Sequence, residues 1–215
     1  MPAFNYKLYL VTDQKACLQK DFFQVVEAAV KGGVDIVQIR EKTLTEKDFL
    51  EKSLRLKDLL DTYGVPLIIN DSLSIALQCK AAGIHVGNSD LSPVKLRTEM
   101  PAGIVGYSLE HMDQLTSANA AVADYIALSP IYATATKMDT ITEWGLEGIR
   151  LVRSLSTAPL VAIGNIHAGN AAAIISAGAN CLAVVSAICS AEDPERAAAT
   201  IRNEIEKATS RNENF

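Results

Sequence analysis

Lys31-Gly32-Gly33-Val34-Asp35-Ile36-Val37 is the stretch on which the fold turns. Upstream of it, Phe22, Val25, Val26, Ala29 and Val30 recur at the three- and four-residue spacing of a helix with one buried face. The two glycines stand where such a helix should end, because glycine takes the left-handed backbone of a helix terminus without steric cost. Downstream, the run from Val34 to Ile39 drops the helical spacing and reads as a short buried strand. The same joint returns as Ala81-Ala82-Gly83-Ile84-His85-Val86 and as Ala177-Gly178-Ala179-Asn180-Cys181-Leu182-Ala183-Val184. A β-α unit therefore repeats along the chain.

Working outward from these joints, eight short β-branched runs emerge: Leu8 to Val11, Val34 to Ile39, Leu67 to Ile69, Ile84 to Val86, Ile104 to Val105, Tyr125 to Leu128, Leu160 to Ile163 and Leu182 to Val185. Between them lie amphipathic or alanine-rich segments, such as the one carrying Phe49, Leu50, Leu54, Leu56, Leu59 and Leu60. Continuously apolar strands separated by helices imply a parallel sheet covered on its outer face. Eight such units in 215 residues match an α/β fold made of one domain, a (β/α)8 TIM barrel over residues 1–215. An open, doubly wound sheet is the alternative. Against it, the first strand runs into Thr12-Asp13-Gln14 and not into a Gly-x-Gly-x-x-Gly turn, so no dinucleotide site is indicated.

A chain that is 49% hydrophobic and 21% charged is globular with a sizeable core. The net charge of -5 and the absence of a Lys/Arg cluster argue against a nucleic-acid partner, so any anion site must be local. The segment Met1 to Lys7 lacks the features of a signal peptide, and the cytoplasm is the expected location. Residues 168–191 carry no charge, but Gly178, Asn180 and several serines interrupt them; they read as a buried helix, a turn and a buried strand, with no membrane span. Cys17, Cys79, Cys181 and Cys189 show no Cys-x-x-Cys pair and read as reduced, packed thiols.

In such a barrel the chemistry sits where strands end and βα loops begin. The polar residues at those ends are Thr12 and Asp13; Gln38, Arg40 and Lys42; Asn70 and Asp71; Asp90; Ser108; Thr134, Thr136 and Lys137; Gly164; and Ser186. The opposite ends supply mostly Gly, Pro and Ala. Arg40, Lys42 and Lys137 are cations able to converge on one anionic ligand. Asp71 and Asp90 suit Mg²⁺, which usually takes only one or two protein carboxylates together with phosphate oxygens and water. Cations beside a magnesium site point to a departing pyrophosphate. Gly164, and Val185-Ser186 after the last strand, stand where barrels bind a single phosphate through backbone N–H groups. Plainer readings exist for each: Asp71 and Asp90 as helix caps, Gly164 as a turn residue, and His85 as a hydrogen-bonded core residue.

The runs Leu8-Tyr9-Leu10-Val11-Thr12-Asp13, Val37-Gln38-Ile39-Arg40-Glu41-Lys42, Ile68-Ile69-Asn70-Asp71, Gly83-Ile84-His85-Val86-Gly87 with Asp90, Ser129 to Lys137, Gly145-Leu146-Glu147-Gly148 and Val161-Ala162-Ile163-Gly164 together resemble the thiamine phosphate synthase family, also called thiamine-phosphate pyrophosphorylase. The resemblance implies a barrel enzyme that joins 4-amino-2-methyl-5-hydroxymethylpyrimidine diphosphate to 4-methyl-5-(2-phosphoethyl)thiazole or its carboxylate, releasing pyrophosphate. It implies Mg²⁺ at Asp71 and Asp90, with diphosphate contacts from Arg40, Lys42, Ser108 and Lys137. Gln38 and Asn70 would hold the pyrimidine, and Thr134, Thr136, Gly164, Val185 and Ser186 the thiazole phosphate. It further implies that pyrophosphate leaves first and that the thiazole nitrogen captures the resulting cation, with no general base. The chain departs from the family pattern at Ser72, Asn88, Asn165 and Glu110-His111, and in the loop Met138 to Trp144. A thiazole tautomerase and a non-catalytic phosphate binder on the same barrel are the competing readings. The expected partners are small phosphorylated molecules. A homo-oligomer is left open, because Ile201, Ile205 and Ala208 could face either their own barrel or a second copy.

Overall fold

The computed structural model describes residues 4–133 and 143–212. Among them eight parallel strands close into a barrel in sequence order: β1 Leu8–Val11, β2 Ile36–Ile39, β3 Leu67–Asn70, β4 Gly83–Val86, β5 Ile104–Leu109, β6 Tyr125–Leu128, β7 Leu160–Ile163 and β8 Cys181–Val184. The closing pair is β1 with β8, in the register Leu8 to Leu182, Tyr9 to Ala183 and Leu10 to Val184. An open sheet would leave both strands as edges, so the doubly wound alternative is excluded.

The strands are continuously apolar because both faces are buried, and alternate residues feed different cores. Tyr9, Val11, Ile36, Ile68, Tyr125, Ala127, Val161, Cys181 and Ala183 fill the barrel interior. Leu8, Leu10, Val37, Ile39, Ile69 and Ile84 point outward into the layer shared with the helices. That outer layer includes α1 Phe22–Lys31, α2 Glu46–Asp61, α3 Leu73–Gln78, α4 Pro93–Glu99, α5 Ala118–Val122, α6 Gly145–Leu155 and α7 Ala168–Ser176. A four-residue helix α8, Ser186–Cys189, precedes α9, Pro194–Asn212, which packs across α1 and α7. Ile201, Ile205 and Ala208 are buried there against their own barrel. The uncharged segment 168–191 resolves into α7, β8 and α8 as expected, and no helix among the described residues is long and apolar enough to cross a membrane. The four cysteines are free and buried.

Two of the three glycine joints behave as the spacing predicts. Gly32 caps α1 and Gly33 follows with φ +101°, while Gly178 follows α7 with φ +117°. Gly83 differs: α3 has already ended at Gln78, Lys80 takes the left-handed turn, and Gly83 is the first residue of β4. A Cβ at Gly83 would lie 2.2 Å from the Ile104 carbonyl oxygen, so strand packing excludes a side chain there. Strand β5 runs four residues beyond the predicted Ile104–Val105, because Gly106 and Ser108 break its apolar signal without breaking its ladder.

The N-terminal ends of the strands are less bland than expected. Just before β2, β6 and β8 stand Asp35, Asp124 and Asn180, and each brackets the preceding strand with two hydrogen bonds. The Asp35 N–H donates to Leu8 O and its carboxylate accepts the Leu8 N–H at 3.0 Å. Asp124 does the same with Val105, and Asn180 with Leu160. An arginine from a surrounding helix donates to each bracket: Arg202 to Asp35 at 2.7 Å, Arg97 to Asp124 at 2.6 Å and Arg153 to Asn180 at 2.6 Å. At the equivalent position before β4, Ala82 makes only the backbone bond, to Leu67 O.

Candidate active site

The C-terminal mouth of the barrel holds two adjoining cavities. The first, about 200 Å³, is lined by Gln38, Arg40 and Lys42 from β2 and its loop, Asn70 and Asp71 from the end of β3, Asp90 from the β4 loop, and Ser108 from β5. Seven of the eight residues expected to serve pyrimidine, diphosphate and metal therefore line one space; the eighth, Lys137, lies outside the described residues. The second, about 260 Å³, is lined by Gly164, Asn165, Val185, Ser186 and His167. Val11, Arg40, Ser129, Ile163 and Ala183 border both, so Arg40 stands in the shared wall. A wider groove of about 590 Å³ runs outside the mouth along α2. There Glu41 is ion-paired with Lys52, so it satisfies a cation on the facing helix and not its neighbours Arg40 or Lys42. Thr134, Thr136 and Lys137 lie outside the described residues.

Local backbone geometry explains how several of these groups are aimed. Asp71 sits at φ +64°, a conformation that short polar residues tolerate better than most, with its N–H on the His85 carbonyl. This turn directs the Asp71 carboxylate to Lys42, whose Nζ donates to Oδ2 at 2.5 Å. Neither Asp71 nor Asp90 caps a helix; Ser72 caps α3 and Ser92 caps α4. Asp90 instead accepts the Gly87 N–H at 2.8 Å, closing a tight loop over the cavity. Asp13, by contrast, spends its carboxylate on the Lys15 and Ala16 N–H groups and shapes the β1 loop. In the second cavity Gly164 has φ +114°, and a Cβ there would meet Pro130 at 2.6 Å. Asn165 follows at φ +52°, which asparagine adopts at lower cost than most residues, so the departure at this position keeps the turn.

The departures at Asn88 and His111 are accommodated through ordinary contacts, and residues 138–142 of the departing loop lie outside the described residues. Asn88 accepts hydrogen bonds from Tyr107 and from Gln114 at 2.8 Å, tying the β4 loop to the segment after β5. His111 starts the 3-10 turn Met112–Thr116, and His167 caps α7 by accepting the Gly169 N–H on Nδ1.

A buried feature joins the two sides of the first cavity from below. Gln38 Nε2 donates to Tyr9 Oη at 2.9 Å, Tyr9 Oη lies 3.0 Å from Tyr125 Oη, Tyr125 Oη lies 3.0 Å from His85 Nδ1, and His85 Nε2 lies 2.9 Å from Ser108 Oγ. Burial pushes both phenols well above the ordinary tyrosine range, so both are neutral donors and acceptors. Tyr9 and Tyr125 escape a sequence reading because each occupies an inward position in an apolar strand and looks like core. His85 is hydrogen-bonded as expected, but it is half-buried and lines the first cavity and is not a core residue.

Asp71 and Asp90 are the carboxylates facing the first cavity among the site candidates, and the described residues contain no cluster of three or more His, Cys, Asp and Glu able to cage a metal. Two carboxylates suit a hard cation that completes its shell with substrate oxygens and water.

Comparison with known proteins agrees with this geometry. A family model described as thiamine monophosphate synthase matches residues 8–188. A thiamine-phosphate synthase of Albidiferax ferrireducens is 49% identical over 201 residues, covering 93% of this chain and 92% of that protein. One from Vibrio campbellii is 44% identical over 194 residues, covering 89% and 94%. Among solved structures, a thiamine phosphate pyrophosphorylase from Pyrococcus furiosus superposes with a TM-score of 0.85 at 28% identity, covering 95% of this chain and 97% of its own. A 3-hexulose-6-phosphate synthase, at 20% identity and a TM-score of 0.67, shares the fold alone. With the barrel closed, the mouth polar and the match running from the first strand to the last short helix, the chain belongs to the thiamine monophosphate synthase family.

Proposed function

We propose that the chain is a transferase that condenses 4-amino-2-methyl-5-hydroxymethylpyrimidine diphosphate with 4-methyl-5-(2-phosphoethyl)thiazole, or its carboxylate, to give thiamine phosphate and pyrophosphate. The observation that carries this reading is the pair of cavities meeting at Arg40. One holds cations, carboxylates and amides suited to a diphosphate on a polar heterocycle; the other is bounded by Gly164 and Val185-Ser186, suited to a single phosphate. Two phosphorylated reactants bound side by side gain the proximity that converts a bimolecular step into an effectively unimolecular one.

In this reading Gln38 and Asn70 orient the pyrimidine, and Arg40, Lys42, Ser108 and Lys137 bind the diphosphate. Thr134, Thr136, Gly164, Val185 and Ser186 receive the thiazole phosphate. Mg²⁺, held by Asp71 and Asp90, would neutralise charge on the diphosphate. Lys42 moves from Asp71 to a phosphate oxygen, exchanging one anionic partner for another. The C–O bond to the diphosphate breaks first and its electron pair leaves with pyrophosphate. The thiazole nitrogen lone pair then forms the C–N bond to the methylene cation, so no base is needed for the attack. Buried, neutral Tyr9 and Tyr125 at the cavity floor are consistent with a site that positions charge without abstracting a proton. We place the reaction in the cytoplasm.

The test is to incubate the purified chain with both substrates, with and without Mg²⁺, and follow thiamine phosphate and pyrophosphate together. Equimolar, magnesium-dependent formation of both is expected. Binding of thiazole phosphate without either product refutes the transferase reading and favours the tautomerase or the binder.

A further inference from the structure

We infer that Tyr9, Tyr125 and His85 are positioning residues: they form a one-directional hydrogen-bond wire that fixes Ser108 as a donor toward the leaving diphosphate and Gln38 as an acceptor toward the pyrimidine amino group. The inference deepens the reading above and rests on it for the identity of the two ligand groups. The direction follows from counting protons. Tyr9 Oη accepts from Gln38 Nε2, so the Tyr9 proton must go to Tyr125. The Tyr125 proton then goes to His85 Nδ1, which leaves the neutral imidazole protonated on Nε2 and donating to Ser108 Oγ. Ser108 accepts that bond and turns its own proton into the cavity. The opposite direction would bury the Tyr9 proton without an acceptor, because Tyr9 is 1% exposed and would receive donors from both neighbours.

The surroundings preserve this path. His85 and Tyr125 stack with ring centroids 5.6 Å apart and planes 14° from parallel, which fixes the line of the bond between them. A Cβ on Gly106 would lie 2.3 Å from Tyr125 Oη and 2.6 Å from His85 Nδ1, so glycine keeps the corridor clear. At the far end, one N–H of the Gln38 amide is committed to Tyr9, which fixes the amide orientation and leaves Oε1 as the atom able to receive a substrate N–H. Recognition of the heterocycle and donation to the leaving group thus share one chain of protons. Pyrimidine binding that anchors Gln38 locks the orientation of Ser108 at the other end.

The experiment combines a spectroscopic and a kinetic arm. With three histidines in the chain, the ¹⁵N signals of His85 are assigned using His111→Gln and His167→Gln. The expected result is the Nε2–H tautomer in the wild type and loss of that single tautomer in Tyr125→Phe, which keeps the ring and removes the link. Tyr125→Phe should lower kcat about tenfold while leaving KM for the thiazole phosphate unchanged. In a Ser108→Ala background the same change should cost less than twofold. Tyr9→Phe, which breaks the wire one step earlier, should follow the same pattern and serves if Tyr125→Phe does not fold. An Nδ1–H tautomer in the wild type, or the same tenfold loss with and without Ser108, overturns the inference. Because the tautomer is read without substrate, an inactive wild type would refute the substrate reading while the nitrogen signals still decide the wire.

Discussion

Asp124→Ala should unseat the lower rim of the barrel without touching its chemistry. The Asp124 side chain is 9% exposed, and its Oδ2 accepts the Val105 N–H at 2.8 Å and Arg97 Nη2 at 2.6 Å. Removing it leaves a buried N–H without a partner, worth about 1–3 kcal/mol. It also leaves Arg97 without its counter-ion, and breaking a buried pair by deleting one member typically costs about 3–5 kcal/mol. Arg97 is 19% exposed and keeps its bonds to the Gly103 and Val122 carbonyls, so the lower part of that range applies. The two costs overlap, and the net loss should be about 3–4 kcal/mol. With a urea dependence near the upper end for domains, ~3 kcal/mol per M, the unfolding midpoint falls by about 1 M. Asp124→Asn retains an oxygen for Val105 and should cost roughly half as much. Both variants should keep wild-type kcat below their transitions, because the mouth lies at the other end of the strands. A fall smaller than about 0.3 M for the alanine variant, or equal losses for both, would show that the bracket contributes no more than the backbone ladder beside it.

Lys42→Ala should raise KM for the pyrimidine diphosphate and lower the Mg²⁺ concentration giving half-maximal rate, since the lysine competes for Asp71; an unchanged Mg²⁺ requirement argues against that competition. The native pKa values of Tyr9 and Tyr125 are raised by burial, so above pH 10 the unfolded chain loses phenolic protons that the native state keeps. Their contribution is therefore intact below pH 10 and lost as pH rises beyond it, at about 1.4 kcal/mol per pH unit each. Urea titrations should run parallel for wild type and Tyr9→Phe/Tyr125→Phe between about pH 9 and 10, and between about pH 10 and 11.5 the slope in the double variant should become shallower by up to ~2.8 kcal/mol per unit. Asn165→Gly should leave turnover and stability nearly unchanged, whereas Asn165→Val should cost about 1–2 kcal/mol in thermal or urea melts, because φ +52° suits a β-branched residue poorly.

The fold was legible because burial on both faces writes a simple pattern. Strands such as Tyr125–Leu128 and Leu160–Ile163 coincide with their apolar runs to the residue. What the pattern hides is why a residue is small or polar. Gly83 looks like a helix stop and is a packing requirement against Ile104. Asp35, Asp124 and Asn180 look like strand-flanking punctuation and are brackets held by arginines distant in sequence. The mouth was legible in outline, since polar residues at strand ends have no core role to explain them. Its two anion sites were legible as well, but the wall they share at Arg40 was not, because that depends on how the strand ends and their loops meet in space. The Lys42–Asp71 pair was hidden for the same reason: a list of cations and carboxylates does not say which satisfies which. Tyr9 and Tyr125 were hidden most fully, because an inward tyrosine in a barrel strand is indistinguishable from packing until its hydroxyl is seen to meet another.

The brackets also divide the barrel into quarters with unequal holdings. Those formed by β1–β2, β5–β6 and β7–β8 are each pinned below by a side chain that grips the neighbouring strand. The β3–β4 quarter has alanine at that position and relies on its backbone ladder. Local opening draws on the least anchored parts of a structure. Breathing of this barrel should therefore begin in the quarter that carries Asn70, Asp71 and His85, so the elements facing the heterocycle can yield while the other three quarters keep the cylinder closed.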